Sequence, residues 1–499
     1  MKTIIITLFA TLSTMAAYAE YSAPATWRPP ERWRGFNLEG KAIKGRFSGE
    51  WREDDLRMMH ELGFNFVRVM IDHRYWCLDN DWTKPDPMKF GPIDEVIGWG
   101  KKHKIHVQLC FSFPPGIDVE TKSKAALFTD GVARQAMADH WRYFAQRYKG
   151  VPNEELSFNL FNEPDSHGTE ATYAPLIAVC EKAIHDEDAT RFIVIDGLQT
   201  ARLPVLTAIK LPVGQSHHAY EPMGITHFRA SWIPKTDWQQ PAWPPQPVVS
   251  PICGTRKPLA AREPITVRDV PACALTIRPG LVNREAELVV AADGVELFRR
   301  LMVPSPGVAG WTNLIARTDK EWAGKPTAPI EVIVPACARM TIGLARGDWM
   351  NISSFAFTAG GKTVSVAPED SWSRSQLPRP DLRFAGFDTP QAVTLADGTS
   401  YTAAYFLKTI PYGKWQPVFE AGQFVMVGEF AVLNLTPHDV ALRWMEDNLR
   451  EWKARNMGWA MWNFRGPFGI LDSNRADVKY EDFHGHKLDR KMLELLKRY

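Results

Sequence analysis

Short apolar runs recur through the first 220 positions, and most are separated by a stretch with helical spacing. The runs are Arg34–Leu38, Asn65–Met70, Ile105–Phe111, Leu156–Phe161, Arg191–Ile195 and Gln215–Tyr220, and the helical patterns are Asp54–Leu62, Ile93–Lys102, Arg134–Tyr148 and Tyr173–Ile184. Strands that are apolar throughout, not on alternate residues, belong to parallel sheets buried on both faces. The same rhythm returns after residue 392. A helical segment near Tyr405–Glu420 leads into Phe424–Gly428, helix Asp439–Asn456 leads into Trp459–Phe464, and the chain ends in a helical pattern over His484–Lys497. Eight strands are the number that closes a (β/α)8 barrel. The alternative is an open doubly wound sheet, but no glycine-rich phosphate loop follows the first strand to support it.

Between the two α/β stretches the signals change. Pro241, Pro244, Pro245, Pro247 and Pro251 read as a stiff linker. Asp293-Gly294 and Gly360-Gly361 each separate two strand-like runs, and such dipeptides turn hairpins because both residues accept positive φ. Pro378, Pro380 and Pro390 mark an exit. The expected organisation is a first barrel part over 20–246, an all-β sandwich inserted between strands six and seven over 247–391, and a second barrel part over 392–499. A module inserted there leaves from the catalytic face of a barrel, so it is expected either to extend a cleft or to act as a spacer. Trp311, Trp349 and Trp372 are its candidate contacts.

Lys2, the apolar run Ile4–Ala10 and Ala17-Tyr18-Ala19 form the charge, apolar core and cleavage pattern of a secretory signal peptide over 1–19. The run is short for a membrane anchor, and no later stretch is long and apolar enough to span a bilayer, so a secreted protein is expected. Lysine and arginine total 59 against 57 acidic residues, a net charge of +2. That is too little to form the basic face a nucleic-acid binder needs. Six cysteines in 499 residues are too few for a disulfide scaffold. Cys77 is left unassigned, Cys110 and Cys180 read as buried, and Cys253, Cys273 and Cys337 are candidates for one bridge. His484-Gly485-His486 lacks an evident third ligand, and neither a metal nor another cofactor is expected.

Two glutamates stand where buried strands run out. Leu160-Phe161-Asn162-Glu163-Pro164 closes the fourth strand and Val427-Gly428-Glu429-Phe430 the seventh. Barrel active sites are built at these C-terminal strand ends. Two carboxylates converging there suit glycosidic cleavage, in which one gives a proton to the leaving oxygen and the other meets the positive anomeric carbon. Repulsion between them raises one carboxyl and keeps it an acid near neutral pH. Chemistry alone leaves open which glutamate takes which role. His218 and Tyr220 share one face of the sixth strand.

These pieces resemble glycoside hydrolase family 5, the cellulase family of the retaining (β/α)8 clan. The resemblance rests on Arg34-Gly35-Phe36-Asn37-Leu38, Phe66-Val67-Arg68, Asn162-Glu163-Pro164, His218-Ala219-Tyr220-Glu221-Pro222, Gly428-Glu429-Phe430 and Trp462-Asn463-Phe464, in the family's order. It implies a retaining β-glycosidase with Glu163 as acid/base and Glu429 as nucleophile. It also implies that Asn162 donates to a sugar hydroxyl, Arg68 holds the nucleophile ionised, Tyr220 donates to it, His218 lines the same subsite and Trp462 stacks on a sugar. The substrate expected is a β-linked glucan, most simply β-1,4. A β-mannan or mixed-linkage glucan, or a sugar-binding barrel without turnover, are the alternatives. Trp76, Trp82, Trp232 and Trp243 are candidates for outer sugar platforms. Ser112 stands where the family often has a histidine, which puts the details of that sugar subsite in question.

Overall fold

The computed structural model describes residues 27–47, 49–79, 81–233, 238, 240–257, 261–370, 379–389 and 391–499. The signal-peptide reading, Trp372, Pro378 and Pro390 lie outside them. The described chain forms two compact units, one reaching to Tyr220 and resuming at Pro411, the other Glu221–Ile410.

The first unit is a closed ring of eight parallel strands in chain order. They are β1 (Arg34–Lys41), β2 (Phe66–Asp72), β3 (His106–Phe113), β4 (Leu156–Asn159), β5 (Ile193–Asp196), β6 (Gly214–Ala219), β7 (Val425–Phe430) and β8 (Trp459–Met461). The ring closes where β1 pairs with β8, Phe36 opposite Met461. Every residue of β2, β3, β4, β5, β6, β7 and β8 is buried, as the continuous apolar runs require. Helices α1 (Glu53–Glu61), α2 (Gly91–His103), α3 (Gly131–Arg147), α4 (Glu170–His185), α5 (His438–Ala454) and α6 (Arg490–Arg498) follow β1, β2, β3, β4, β7 and β8. The last helix begins at Arg490, not at His484. His484 and Gly485 instead turn a small hairpin between Glu481–Phe483 and His486–Leu488. Asp489 then caps α6 by accepting from the Met492 amide, and Met492, Leu493, Leu495 and Leu496 turn inward. Among the described residues no helix is long and apolar enough to cross a membrane.

Two backbone details shape the barrel, one at each end. A Cβ on Gly35 would stand 1.7 Å from the Phe66 carbonyl oxygen, so only glycine lets β1 lie this close to β2. In β7 the pairing with β6 slips between Val427, opposite His217, and Glu429, opposite His218. Gly428 is the extra residue, and a Cβ there would meet Ser216 Oγ at 2.2 Å. The bulge turns the next side chain, Glu429, toward β6.

The second unit leaves the chain between β6 and β7. It is all β in its main body, with eleven strands in one connected sheet. Its spine is a pair of long antiparallel strands, Cys273–Ala292 and Cys337–Ala359, whose register slips at several bulges. The expected hairpins turn at Asp293-Gly294 and Gly360-Gly361, all four residues at positive φ. One apolar cluster, including Leu275, Ile277, Leu288, Met340, Ile342, Phe355 and Phe357, forms its core.

An internal duplication organises this unit. Pro264-Ile265-Thr266-Val267 leads to Val270-Pro271-Ala272-Cys273-Ala274, and Pro329-Ile330-Glu331-Val332 leads to Val334-Pro335-Ala336-Cys337-Ala338. The two copies pair reciprocally. Val270 lies opposite Cys337, while Cys273 lies opposite Val334. The two Val-Pro-Ala-Cys turns therefore bring the beginnings of both spine strands together, although along the spine Ala274 pairs with Thr358 and Ala292 with Met340. The long ribbon curls until its ends meet.

Two expectations are corrected here. The proline-rich stretch, expected as a stiff linker, is packed: Trp243 is 5% exposed and meets Phe406 edge-on, and Val248 joins the core. The unit accordingly extends beyond 247–391 on both sides. The proposed bridge among Cys253, Cys273 and Cys337 is absent, since all six cysteines are free and buried. Cys273 and Cys337 are neighbours. Burial, followed by the charge of Cys337, pushes the Cys273 thiol up to about 11.

Candidate active site

The C-terminal ends of β1, β2, β4, β5, β6 and β7 send polar side chains into one cluster. Arg68 of β2 is its hub and is fully buried. Its Nε donates to Asn159 Oδ1 at 2.8 Å, Nη1 to Asn37 Oδ1 at 3.1 Å and to Glu429 Oε1 at 2.9 Å, and Nη2 to Asn162 Oδ1 and Asp196 Oδ2, both at 3.0 Å. Asn37 is itself fixed, donating to the Gly428 carbonyl at 2.9 Å. The guanidinium fork is thus saturated, with a carboxylate on either side.

Glu429 and Glu163 face each other across this hub. Glu429 accepts from Arg68 and, at 3.0 Å, from the Tyr220 hydroxyl. Glu163 accepts from His218 Nδ1 at 3.0 Å, and that nitrogen is also 3.7 Å from Glu429 Oε2. One oxygen of each glutamate and one His218 nitrogen all lie within 4.8 Å of one another. The side chain of Glu429 is 7% exposed and that of Glu163 29%, so the latter is the more open to an incoming molecule.

Asp196, at the end of β5, was not anticipated. It is fully buried and accepts from Arg68, from Asn159 Nδ2 at 3.2 Å and from the Glu163 amide at 2.9 Å. His218 Nε2 lies 3.2 Å from it. The rule applied to Glu163 and Glu429, an acid where a buried strand ends, also describes Asp196. The expected strand had stopped at Ile195, one residue short.

The electrostatics follow from these contacts. Burial would raise the Asp196 carboxyl, but the charges of Arg68 and His218 outweigh it and hold it well below the usual range. Burial would lower His218, but the charges of Glu429 and Asp196 and its hydrogen bonds raise it to about 10, so it is an imidazolium at neutral pH. Burial pushes Glu429 up, and the facing charge of Glu163 adds to that although His218 and Arg68 oppose it. Burial acts the same way on Glu163, but the hydrogen bond and charge of His218, followed by the Lys124 ammonium, bring it below the ordinary glutamate range. The repulsion foreseen between the two carboxyls is present, and in this arrangement Glu429 is the one that is raised.

The remaining expected residues divide. Trp462 is partly buried after β8, edge-on to Phe47 and above Ala42, Met70 and Cys110. Ser112 donates its hydroxyl to the Ala42 carbonyl and is 5% exposed, so it ties β3 to the loop after β1. Trp76 is a core residue, not a platform: it is fully buried, its ring tilted against Phe111 with centroids 4.4 Å apart and its indole N–H on His140 Nδ1. Trp82 and Trp232 are 37% and 51% exposed, and Trp243 is buried. Trp311 packs against the core of the second unit and Trp349 is partly buried.

Among the described residues Glu163, His218 and Glu429 form a group with the geometry to hold a metal ion. Their surroundings argue against a cation there, because Glu429 already accepts from Arg68 and Tyr220, and His218 carries a proton. His484 and His486 turn to different acids, Glu61 at 3.0 Å and Asp472 at 2.7 Å.

Comparison with known proteins agrees with this architecture. The family model for cellulases, glycosyl hydrolase family 5, matches residues 25–246. Endoglucanase C of Acetivibrio thermocellus is 30% identical over 191 residues, 36% of this chain and 53% of the relative. Cellodextrinase A of Ruminococcus flavefaciens is 23% identical over 216 residues, 40% of this chain and 62% of the relative. The chain thus spans about half the length of the first of these relatives. Among solved structures, a glycoside hydrolase superposes with a TM-score of 0.59 at 24% identity, covering 94% of this chain and 99% of that one. Thermotoga maritima Cel5A, crystallised with cellobiose, gives a TM-score of 0.52 at 14% identity over 93% and 96%. The family resemblance and the barrel with an added β-rich region are both borne out.

Proposed function

We propose, from the match of residues 25–246 to the family model for glycosyl hydrolase family 5 cellulases, that the chain is a retaining endoglucanase-like glycoside hydrolase that cleaves β-1,4-glucan. The observation that carries this reading is the opposed pair. Carboxylate oxygens of Glu163 and Glu429 lie within 4.8 Å of each other. The spacing that lets one carboxylate attack directly is about 5–5.5 Å, while water-mediated inversion needs about 6.5–9.5 Å.

The unequal surroundings of the two glutamates support their roles. Arg68 and Tyr220 donate to Glu429, fix its orientation and stabilise its anion, which suits the nucleophile. Glu163 has one side-chain donor, His218, and is the more exposed. A bound sugar shields Glu163 from water, which favours its neutral form, and the carboxyl can then donate to the glycosidic oxygen while its other oxygen still accepts from His218. Glu429 attacks the anomeric carbon as Glu163 protonates the leaving oxygen. Water, deprotonated by Glu163, then releases the sugar from Glu429. Asn162, oriented by Arg68, is placed to meet a hydroxyl of the bound sugar, and Trp462 offers it a ring face.

The relatives matched are endoglucanases and a cellodextrinase, which favours glucan. Thermotoga maritima Cel5A has also been crystallised with mannotriose, which keeps β-mannan as the second reading. The pattern of residues 1–19 supports export. Hydrolysis of soluble cellulose and mannan derivatives, followed by proton NMR, tests the mechanism: a first-formed β-anomer is expected, and an α-anomer overturns it. Glu163→Gln and Glu429→Gln should each abolish turnover. A chain with no turnover to lose would be a sugar-binding barrel.

A further inference from the structure

Lys124 has no place in the family resemblance, and it lies in the segment after β3, far in sequence from either glutamate. Its ammonium nevertheless donates to the carbonyls of both Asn162 and Glu163, each at 2.7 Å. Its own amide donates to Asp165 Oδ2 at 2.9 Å. From the other side, Asp196 accepts from the Glu163 amide at 2.9 Å, Phe111 accepts from the Asn162 amide at 2.9 Å, and the Thr200 amide donates to the Pro164 carbonyl at 2.9 Å. Glu163 itself has a φ of 48°, in the left-handed region that non-glycine residues rarely take. Such a conformation persists only when its surroundings impose it. The peptide on each side of Glu163 is gripped, and among the described residues Lys124 supplies the positive charge in that grip.

We propose that Lys124 is a positioning residue for the acid/base. It holds the Asn162–Glu163 backbone in the strained turn that aims the carboxyl, and its ammonium sets the proton affinity of that carboxyl from the backbone side. The inference rests on Glu163 being the acid/base. Two neutral carbonyls bound by a buried-side ammonium form charge-assisted bonds that water does not easily replace. A cation this near also favours the carboxylate, so Lys124 and the imidazolium of His218 act on Glu163 together.

Lys124→Met and Lys124→Arg in the full chain, with Glu163→Ala beside them, test this. The probes are 2,4-dinitrophenyl β-cellobioside, whose leaving group needs no protonation, and cellotetraose, whose leaving group does. Lys124→Met should lose about tenfold or more in kcat/KM on cellotetraose and little on the aryl glycoside. Its alkaline limb should move up by roughly half a pH unit, because removing a cation lets Glu163 keep its proton to higher pH. Lys124→Arg keeps the charge and the donors, so its alkaline limb should stay in place. Equal losses on both substrates with an unmoved pH profile would reduce Lys124 to a structural residue and overturn the proposal, as would full activity of Lys124→Met. If Lys124→Met does not fold, Lys124→Gln removes the charge and keeps a donor, and the same shift of the alkaline limb decides. If Glu163→Ala itself shows no difference between the two leaving groups, the acid/base assignment falls, and that result is read on the Glu163 variant alone.

Discussion

Arg68 Nη1 stands 2.9 Å from Glu429 Oε1, with the arginine side chain wholly buried and the glutamate 7% exposed. A buried ion pair broken on one side leaves an uncompensated charge, a loss of about 3–5 kcal/mol. Here the penalty falls on two acids, because the same guanidinium also satisfies Asp196. Arg68→Met should therefore destabilise the barrel by at least that amount and abolish turnover. Arg68→Lys should recover part of the stability and little of the rate, since an ammonium cannot make five fork-directed bonds. Urea unfolding together with kcat of the three proteins checks both statements.

His218 makes folding depend on alkaline pH. Its value of about 10 in the folded barrel lies above the 6.5 of the free side chain. A raised basic group stabilises fully below its unfolded value, and the contribution disappears as pH climbs through the folded one. Wild-type stability should therefore fall between pH 6.5 and 10 more steeply than that of His218→Gln. Urea midpoints across that range give the comparison, and parallel curves would contradict the assignment of His218 as an imidazolium.

Tyr220 donates to the second oxygen of Glu429, and its hydroxyl is kept protonated by burial and by the charge of Glu429. Tyr220→Phe removes that donor and little else. We expect kcat to fall by about tenfold or more, the loss of one hydrogen bond to a charged group at about 1.5–3 kcal/mol, with KM changed much less. Steady-state kinetics on one oligosaccharide measure the split.

Ser112 ties β3 to the loop after β1 through its bond to the Ala42 carbonyl. Ser112→Ala should lower stability by about 1 kcal/mol, one neutral hydrogen bond, and leave sugar preference unchanged. Ser112→His, which restores the residue common in the family, places an imidazole in a site 5% exposed and should destabilise more. Thermal unfolding and a glucan-against-mannan activity ratio for each variant decide the matter.

The barrel was legible because buried parallel strands leave an unmistakable mark, apolar at every position, and because an acid at the end of such a strand stands out. Glu163 and Glu429 were found that way. Asp196 followed the same rule but lay one residue beyond the expected end of β5. Lys124 could not be found, because its meaning lies in two carbonyls of a different strand end. Trp76 and Trp243 were read from their loops as exposed rings, yet a loop can fold its aromatics inward, and composition does not say which. The prolines before residue 251 looked like a linker because stiffness is local, whereas the packing of Trp243 on Phe406 spans 163 positions. The duplication was in plain view as Val-Pro-Ala-Cys-Ala, but only the pairing of Val270 with Cys337 and Cys273 with Val334 shows what it builds.

That pairing gives the second unit the logic of a swapped dimer fused into one polypeptide. Each copy completes the other: Ile265–Val270 pairs with the start of the second spine strand, Cys337–Ile342, and Ile330–Val334 pairs with the start of the first, Cys273–Ile277. Lengthening the hairpin tips at Gly294 or Gly361 leaves these pairings untouched, whereas removing one copy strips a strand partner from the other.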